Sequence, residues 1–128
     1  MNGRASKAKG YTGEVEFIQV GDEEGYPGLR RNGNQFGQAD QGDIAGVIGW
    51  VIQVKNVATA RIPEWIRACK EQAKNAGVDR WAIALKLRGH HMRDGVVMVP
   101  TRLFFEMVRI IEAFEKAEVD EYEASRNY

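Results

Sequence analysis

The strongest limit on what this chain can fold into lies between Asp43 and Asn56, where two apolar runs, residues 44–48 and 50–54, meet near Gly49. β-Branched residues dominate both runs. They lose rotamer freedom in a helix and fit the pleated, half-buried surface of a strand, and a glycine between two such runs supplies the turn. A β-hairpin is therefore expected, and a sheet containing it must find helices or a second sheet to cover its apolar faces.

The rest of the chain supplies helices. Residues 7–23 place Tyr11, Val15, Ile18 and Val20 close to helical spacing, although Gly10, Gly13 and Gly21 weaken the pattern by about 1 kcal/mol each relative to alanine. Ile62, Trp65, Ile66, Cys69 and Ala73 recur at three- and four-residue steps, with Pro63 suited to a first turn and Gly77 to a stop. Residues 81–87 and 96–99 read as two further strands joined through a turn at 89–95. Pro100 and Thr101 open a last helix carrying Leu103, Phe104, Met107, Val108, Ile110, Ile111 and Phe114. With a short strand in 26–32, the order is helix, three strands, helix, two strands, helix. This predicts an α/β fold with a mixed central sheet flanked by helices.

At 128 residues the chain suits one domain, with a core over about 7–116 and an acidic tail over 117–128. Hydrophobic residues at 44% and charged residues at 28% are globular averages, which argues against disorder. No apolar run reaches membrane-spanning length, and the basic residues 1–9 are not followed by an apolar stretch, so a cytoplasmic protein without a secretory signal is expected. Cys69 is the single cysteine, which rules out an internal disulfide and a thiolate zinc cluster; its place in a helical pattern predicts a buried, inert thiol. Net charge is zero, unlike a non-specific DNA coater, but eight Lys/Arg against three Asp/Glu over residues 55–88 allow one face to attract phosphate.

Chemistry concentrates on the hairpin. Residues two apart on a strand share a face, so Gln53 and Lys55 project together and interrupt an apolar strand. A hairpin turning around Ile48 sets Asp43 across from Gln53. A carboxylate, an amide oxygen and an ammonium then converge, and oxygen donors of this kind suit Mg²⁺, while an ammonium can stabilise charge on a phosphate. On the residues alone two plainer readings stay open: Asp43 capping a turn, and Gln53 with Lys55 forming the solvated side of an edge strand.

Three segments resemble the PD-(D/E)XK nuclease superfamily, and within it the archaeal-type and phage Holliday-junction resolvases. Lys9-Gly10-Tyr11-Thr12-Gly13-Glu14 is similar to the Lys-Gly and later Glu on the first helix of those resolvases. Gly42-Asp43-Ile44 resembles their Pro-Asp-Ile, with glycine in place of proline. Ile52-Gln53-Val54-Lys55 resembles their Glu-x-Lys, with Gln53 in place of the acid. The resemblance spans about residues 7–114. It implies a restriction-endonuclease-like core and a metal-dependent, structure-selective DNA endonuclease that hydrolyses phosphodiester bonds, cutting branched four-way junctions as a homodimer. It further implies that Glu14, Asp43, Gln53 and the Val54 carbonyl hold Mg²⁺, or Mn²⁺ as a substitute, that Lys55 assists catalysis, and that Lys9, Arg30 and Arg31 contact DNA.

The amide at Gln53 keeps an oxygen but removes a negative charge. A natural active variant, a degenerate module that binds DNA without cutting and an engineered replacement all fit the sequence; retention of Glu14, Asp43 and Lys55 favours the first. A duplex-specific nuclease of the same superfamily is a further alternative. Elsewhere, Lys70 and Lys74 read as a solvated helix face, His90 and His91 as an exposed hairpin tip, and the polar loop 32–41 as a connection bordering the cleft. The surplus of apolar residues on the last helix suggests a subunit contact. No glycine-rich phosphate loop supports ATP chemistry.

Overall fold

The computed structural model describes residues 3–33 and 40–126 of the chain. They form two compact units, Met1–Met98 and Val99–Tyr128. The first unit holds a five-stranded sheet in the order β1-β2-β3-β4-β5, made of Arg30–Arg31, Ile44–Ala45, Trp50–Lys55, Arg80–Leu85 and Val96–Met98. β3 and β4 are parallel and every other neighbouring pair is antiparallel, so the sheet is mixed. Two helices belong to this unit, α1 over Gly3–Glu23 and α2 over Ile62–Ala76. The expected α/β class with a mixed sheet is the observed one.

Alternation along β3 sorts the two layers. Val51 joins Trp65, Cys69 and Ala73 of α2 with Trp81 and Ile83 of β4 in one core cluster, while Ile52 and Val54 join Ile44, Ala84 and Met92, against which Phe17, Ile18 and Val20 of α1 pack. The sheet therefore has α2 on one face and α1 on the other. Val51, Ile83 and Cys69 are the most completely enclosed side chains. Burial of an aliphatic side chain such as Val51 or Ile83 stabilises the fold by about 1.5–3 kcal/mol.

α2 begins and ends as its sequence predicts. Pro63 occupies its first turn, Glu64 and Lys74 complement the helix dipole at opposite ends, and Gly77 closes it with a left-handed φ of 69°. α1 ends on a glycine too: Gly25 has a left-handed φ of 79°, its N–H donates to Asp22 O and the Tyr26 N–H donates to Gly21 O, while along its length the helix depends on contacts. At Gly13 the helix passes so close to β3 that an added Cβ would lie 3.1 Å from Val54 Cγ1 and 3.3 Å from Asn56 Cβ. The glycines that count against helix propensity thus include one that lets the helix approach the sheet.

Polar contacts fix the same helix at its other end. Glu16 Oε1 accepts from Lys86 Nζ at 2.7 Å and from the Met92 backbone N–H at 2.9 Å, and Arg93 grips the Glu23 carboxylate through two nitrogens. Burial acts to raise the pKa of Glu16, but the hydrogen bonds from Lys86 and Met92, with the positive charges of Lys86 and His91, outweigh it and leave it lowered. His91 departs from the expected exposed tip. It is half-buried, its Nδ1 accepts from the Arg93 N–H and so caps a 3-10 turn at Met92–Asp94, and its Nε2 lies 3.3 Å from Gln19 Oε1. Only His90 is exposed. The cap itself is local, two residues on, but adjacent histidines carry no sign that the second ring nitrogen meets a helix more than seventy residues earlier.

The second unit contains α3, Thr101–Arg126, so the acidic segment from residue 117 continues the helix as far as Arg126. Phe104, Met107, Ile110, Ile111 and Phe114 are exposed on it, whereas Leu103 is buried. No helix among the described residues is long and apolar enough to cross a membrane.

Candidate functional site

The hairpin register follows the turn geometry. Ile44 pairs with Ile52 in the β2–β3 ladder, and the same antiparallel register sets Asp43 opposite Gln53. Directly opposed residues share a sheet face, so Asp43, Gln53 and Lys55 lie together on the side covered by α2. Lys55 Nζ sits 5.4 Å from the centre of the Trp65 ring of α2, which confirms that face and gives the ammonium a cation–π partner.

Gln53 is 6% exposed, and its Oε1 is buried with no hydrogen-bond partner. β3 is the central strand of the sheet, so Gln53 is not the solvated side of an edge. A buried amide oxygen without a donor costs about 1–3 kcal/mol, and a cation is one kind of group that could satisfy it. Asp43 also has a specific local role. Its Oδ2 accepts from the Val54 N–H at 2.9 Å, while its own N–H donates to Ile52 O at 2.8 Å, so the side chain extends the ladder where β2 has not yet begun. The N–H and C=O of one strand residue point the same way, and the Val54 carbonyl therefore faces the strand edge occupied by Asp43.

Burial is the main cause that raises the Asp43 pKa; the Val54 N–H opposes it, the negative charge of Glu14 adds to it, Lys55 opposes it and Asp40 adds to it. A carboxylate held this way is short of positive charge. Its surroundings are the kind that a divalent cation would relieve. The donor set of Asp43, Gln53 and the Val54 carbonyl is all oxygen, which fits Mg²⁺ or Mn²⁺ better than a soft metal. Among the described residues no group of three or more His, Cys, Asp or Glu side chains converges as a metal site, so any cation here would rest partly on neutral oxygens.

Glu14 approaches from the other layer. Its carboxylate accepts from Arg31 Nε at 2.6 Å, and the Arg31 guanidinium also lies 4.8 Å from the centre of the Tyr11 ring. Arg31 pairs with Ile44, whose side chain faces α1, which places the Glu14–Arg31 pair on that side of the sheet. Among the described contacts none joins Glu14 directly to Asp43, Gln53 or Lys55; the link is electrostatic, through its effect on Asp43. Arg30 is exposed and lines a separate cavity with Tyr26, Pro27 and Ile48. Lys9 is exposed on α1, and its carbonyl accepts from Asn56 Nδ2 at 2.9 Å.

Position 42 explains the local departure from the resemblance. Gly42 has a φ of 97°, and a Cβ there would lie 3.0 Å from Ile52 O. Proline, locked near −65°, cannot adopt that conformation. The glycine is therefore required by the way the chain enters β2 just before Asp43.

The sequence reading passed over the residues that hold this approach. Asp40 Oδ1 accepts from the Gly42 N–H at 2.9 Å, its Oδ2 accepts from Gln72 Nε2 at 2.7 Å, and its carbonyl accepts from Asn75 Nδ2 at 3.1 Å. Asn32 closes the other side, with its N–H on Asp43 O and its Nδ2 on Gly42 O. Asp40-Gln41-Gly42 has the form of an Asx-turn, a signal that was legible; the partners on α2 carried none. Residues 34–39 of the polar loop 32–41 lie outside the described residues. Cys69 is fully enclosed in the core, and burial pushes its thiol up to about 11, so it is no nucleophile at neutral pH. Comparison with family models, with curated proteins and with solved structures finds no match for the chain, so the geometry of the site carries the functional reading alone.

Proposed function

We propose that this protein is a metal-dependent endodeoxyribonuclease of the PD-(D/E)XK type that hydrolyses phosphodiester bonds in branched DNA, with four-way junctions as the preferred substrate. The observation that carries the reading is the grouping of Asp43, Gln53 and Lys55 on one face of an otherwise apolar hairpin, with the Gln53 oxygen buried and unpartnered. Asp43, Gln53 and the Val54 carbonyl would hold Mg²⁺ or Mn²⁺, with Glu14 contributing charge from α1. The chemistry such a cation would supply, held by these oxygens, is polarisation of a phosphodiester and a more acidic bound water. Lys55, at the end of β3, would supply positive charge toward the phosphate as negative charge grows on it, and Asp43 would hold a cation in its ionised form.

The exposed apolar side chains of α3 support a homodimer, and a twofold dimer suits the two symmetric cuts that a four-way junction requires. A cytoplasmic setting follows from the same reading. Two observations favour a runner-up in which the chain binds DNA without cutting it: Gln53 stands where the resemblance expects an acid, and Glu14 is engaged by Arg31. Incubation of labelled junction, duplex and single-stranded DNA with Mn²⁺ separates these. Cutting confined to the junction is expected. Binding without cleavage of any substrate would leave the non-catalytic module, and site-dependent duplex cutting would indicate a sequence-specific nuclease.

A further inference from the structure

A cavity of about 300 Å³ opens at the carboxyl ends of the two parallel strands, lined by Lys9, Asn56, Val57, Ala58, Arg88 and Gly89. In open α/β sheets the crevice beyond the carboxyl ends of parallel strands is where ligands bind, because the connections diverge there and leave backbone and side chains facing a common space. Here β3 ends at Lys55 and β4 at Leu85, and Lys86 N–H donates to Lys55 O before the two loops separate. Asn56 is fastened to α1 through its bond to the Lys9 carbonyl, so the three walls of the cavity have a fixed relation.

Its charge is one-sided. No carboxylate lines the cavity, and the Lys9 ammonium and Arg88 guanidinium have no ion-pair or hydrogen-bond partner among the described residues. Most other cations near α1 are engaged: Arg31 with Glu14, Lys86 with Glu16, Arg93 with Glu23. Two unpaired cations from separate elements, on either side of a polar cleft, form an anion site with the planar donor set of arginine on one wall and a point charge on the other.

We infer that this cavity is a phosphate-binding subsite, occupied in function by a backbone phosphate of DNA next to the one at the Asp43–Lys55 site. The occupant rests on the nuclease reading; the anion site does not. Lys9 precedes Glu14 by five residues on one helix, about 7.5 Å along its axis, on the order of the spacing between neighbouring phosphates of a DNA strand. Lys55 ends β3 and Asn56 of the cavity follows it directly, so a strand crossing the carboxyl end of β3 would meet both places. Such a subsite would hold the substrate in register without taking part in bond breaking.

The test is binding in EDTA, with no cleavage needed. Fluorescence anisotropy with a labelled four-way junction over a salt series should show Lys9→Ala and Arg88→Ala each lowering affinity several-fold and each reducing the slope of log K against log salt by about 0.9. Both side chains are exposed, so thermal melts should be unchanged. Lys74→Ala, on the exposed face of α2, should leave the slope close to that of the parent. An equal loss from Lys74→Ala, or an unchanged slope in Lys9→Ala and Arg88→Ala, overturns the subsite. Titration with inorganic phosphate at constant ionic strength, read by amide NMR shifts at residues 9, 56 and 88, distinguishes the source. Shifts at these amides without junction binding support a site for free phosphate, and absence of both overturns it. Cleavage in Mn²⁺ is scored separately, so a protein that binds through this cavity and cuts nothing defeats the nuclease reading alone.

Discussion

Replacing Gln53 by glutamate sets the cost of a buried charge against its attraction for a cation. The side chain is 6% exposed and lies opposite Asp43, whose own carboxyl is already pushed up chiefly by burial. A carboxylate introduced there has an unfolded pKa near 4.3, and full burial raises such groups by about 3–5 units. If it stays protonated in the fold at pH 7, the cost approaches about 3–4 kcal/mol, and at pH 5 it falls below about 1 kcal/mol. The sign follows from a raised folded pKa: no cost below the unfolded value, and a growing cost as pH rises toward the folded one. For a unit of this size that is a fall in Tm of about 10–25 °C at pH 7. The same carboxylate should tighten Mn²⁺ binding at least tenfold, equivalent to about 1.4 kcal/mol, so added Mn²⁺ should raise the Tm of Gln53→Glu by more than it raises that of the parent. Differential scanning fluorimetry in EDTA and in graded Mn²⁺, at pH 5 and pH 7, reads every part of this. An identical Mn²⁺-induced shift in the two proteins would show that residue 53 is not a ligand and would sink the placement of the site on this hairpin.

Three further outcomes follow. Asp43→Asn keeps an oxygen for the Val54 N–H but cannot ionise; since the Asp43 pKa is raised, the substitution should increase Tm by a few degrees in EDTA at pH 7, with the gain vanishing as pH falls below the usual carboxylate range, and it should abolish the Mn²⁺ response. Gly42→Ala forces a side chain into a φ of 97° against Ile52 O and should cost about 2–3 kcal/mol by urea unfolding, whereas Gly25→Ala, with positive φ but open space around it, should cost about 1 kcal/mol; equal losses would mean the close approach at position 42 is unimportant. Glu16→Gln should destabilise the fold by about 1–2 kcal/mol at pH 7 by leaving the half-enclosed Lys86 without its counter-charge. Because the Glu16 pKa is lowered, the parent keeps this contribution above the usual carboxylate pKa and loses it as pH falls through the lowered one, and acid unfolding of Glu16→Gln should lack that step.

The resemblance and the hairpin geometry together also define what each substitution leaves intact. Lys55 is held over Trp65 by a contact that does not involve Asp43, and Cys69 is sealed behind the same layer. The side-chain oxygens of Asp43 and Gln53 can therefore be altered one at a time without dismantling the α2 face, provided the volume at Gln53 is kept.

Local pattern determined much of this protein. Period-two alternation separated Gln53 and Lys55 from Ile52 and Val54, the distance of Asp43 from the turn set its partner on β3, and the Pro63 and Gly77 signals bounded α2, because each depends on neighbours within a few residues. Tertiary structure decided the rest. Whether Gln53 faces water or a closed layer depends on β3 being central, which follows from β4 pairing with it across a crossover of more than twenty residues. That Glu14 meets Arg31, that His91 Nε2 meets Gln19 of α1, and that Asp40 is clasped by Gln72 and Asn75 are all contacts between segments far apart in the chain. Sequence periodicity fixes which way a side chain points from its own element; which group waits there is set only when the elements pack.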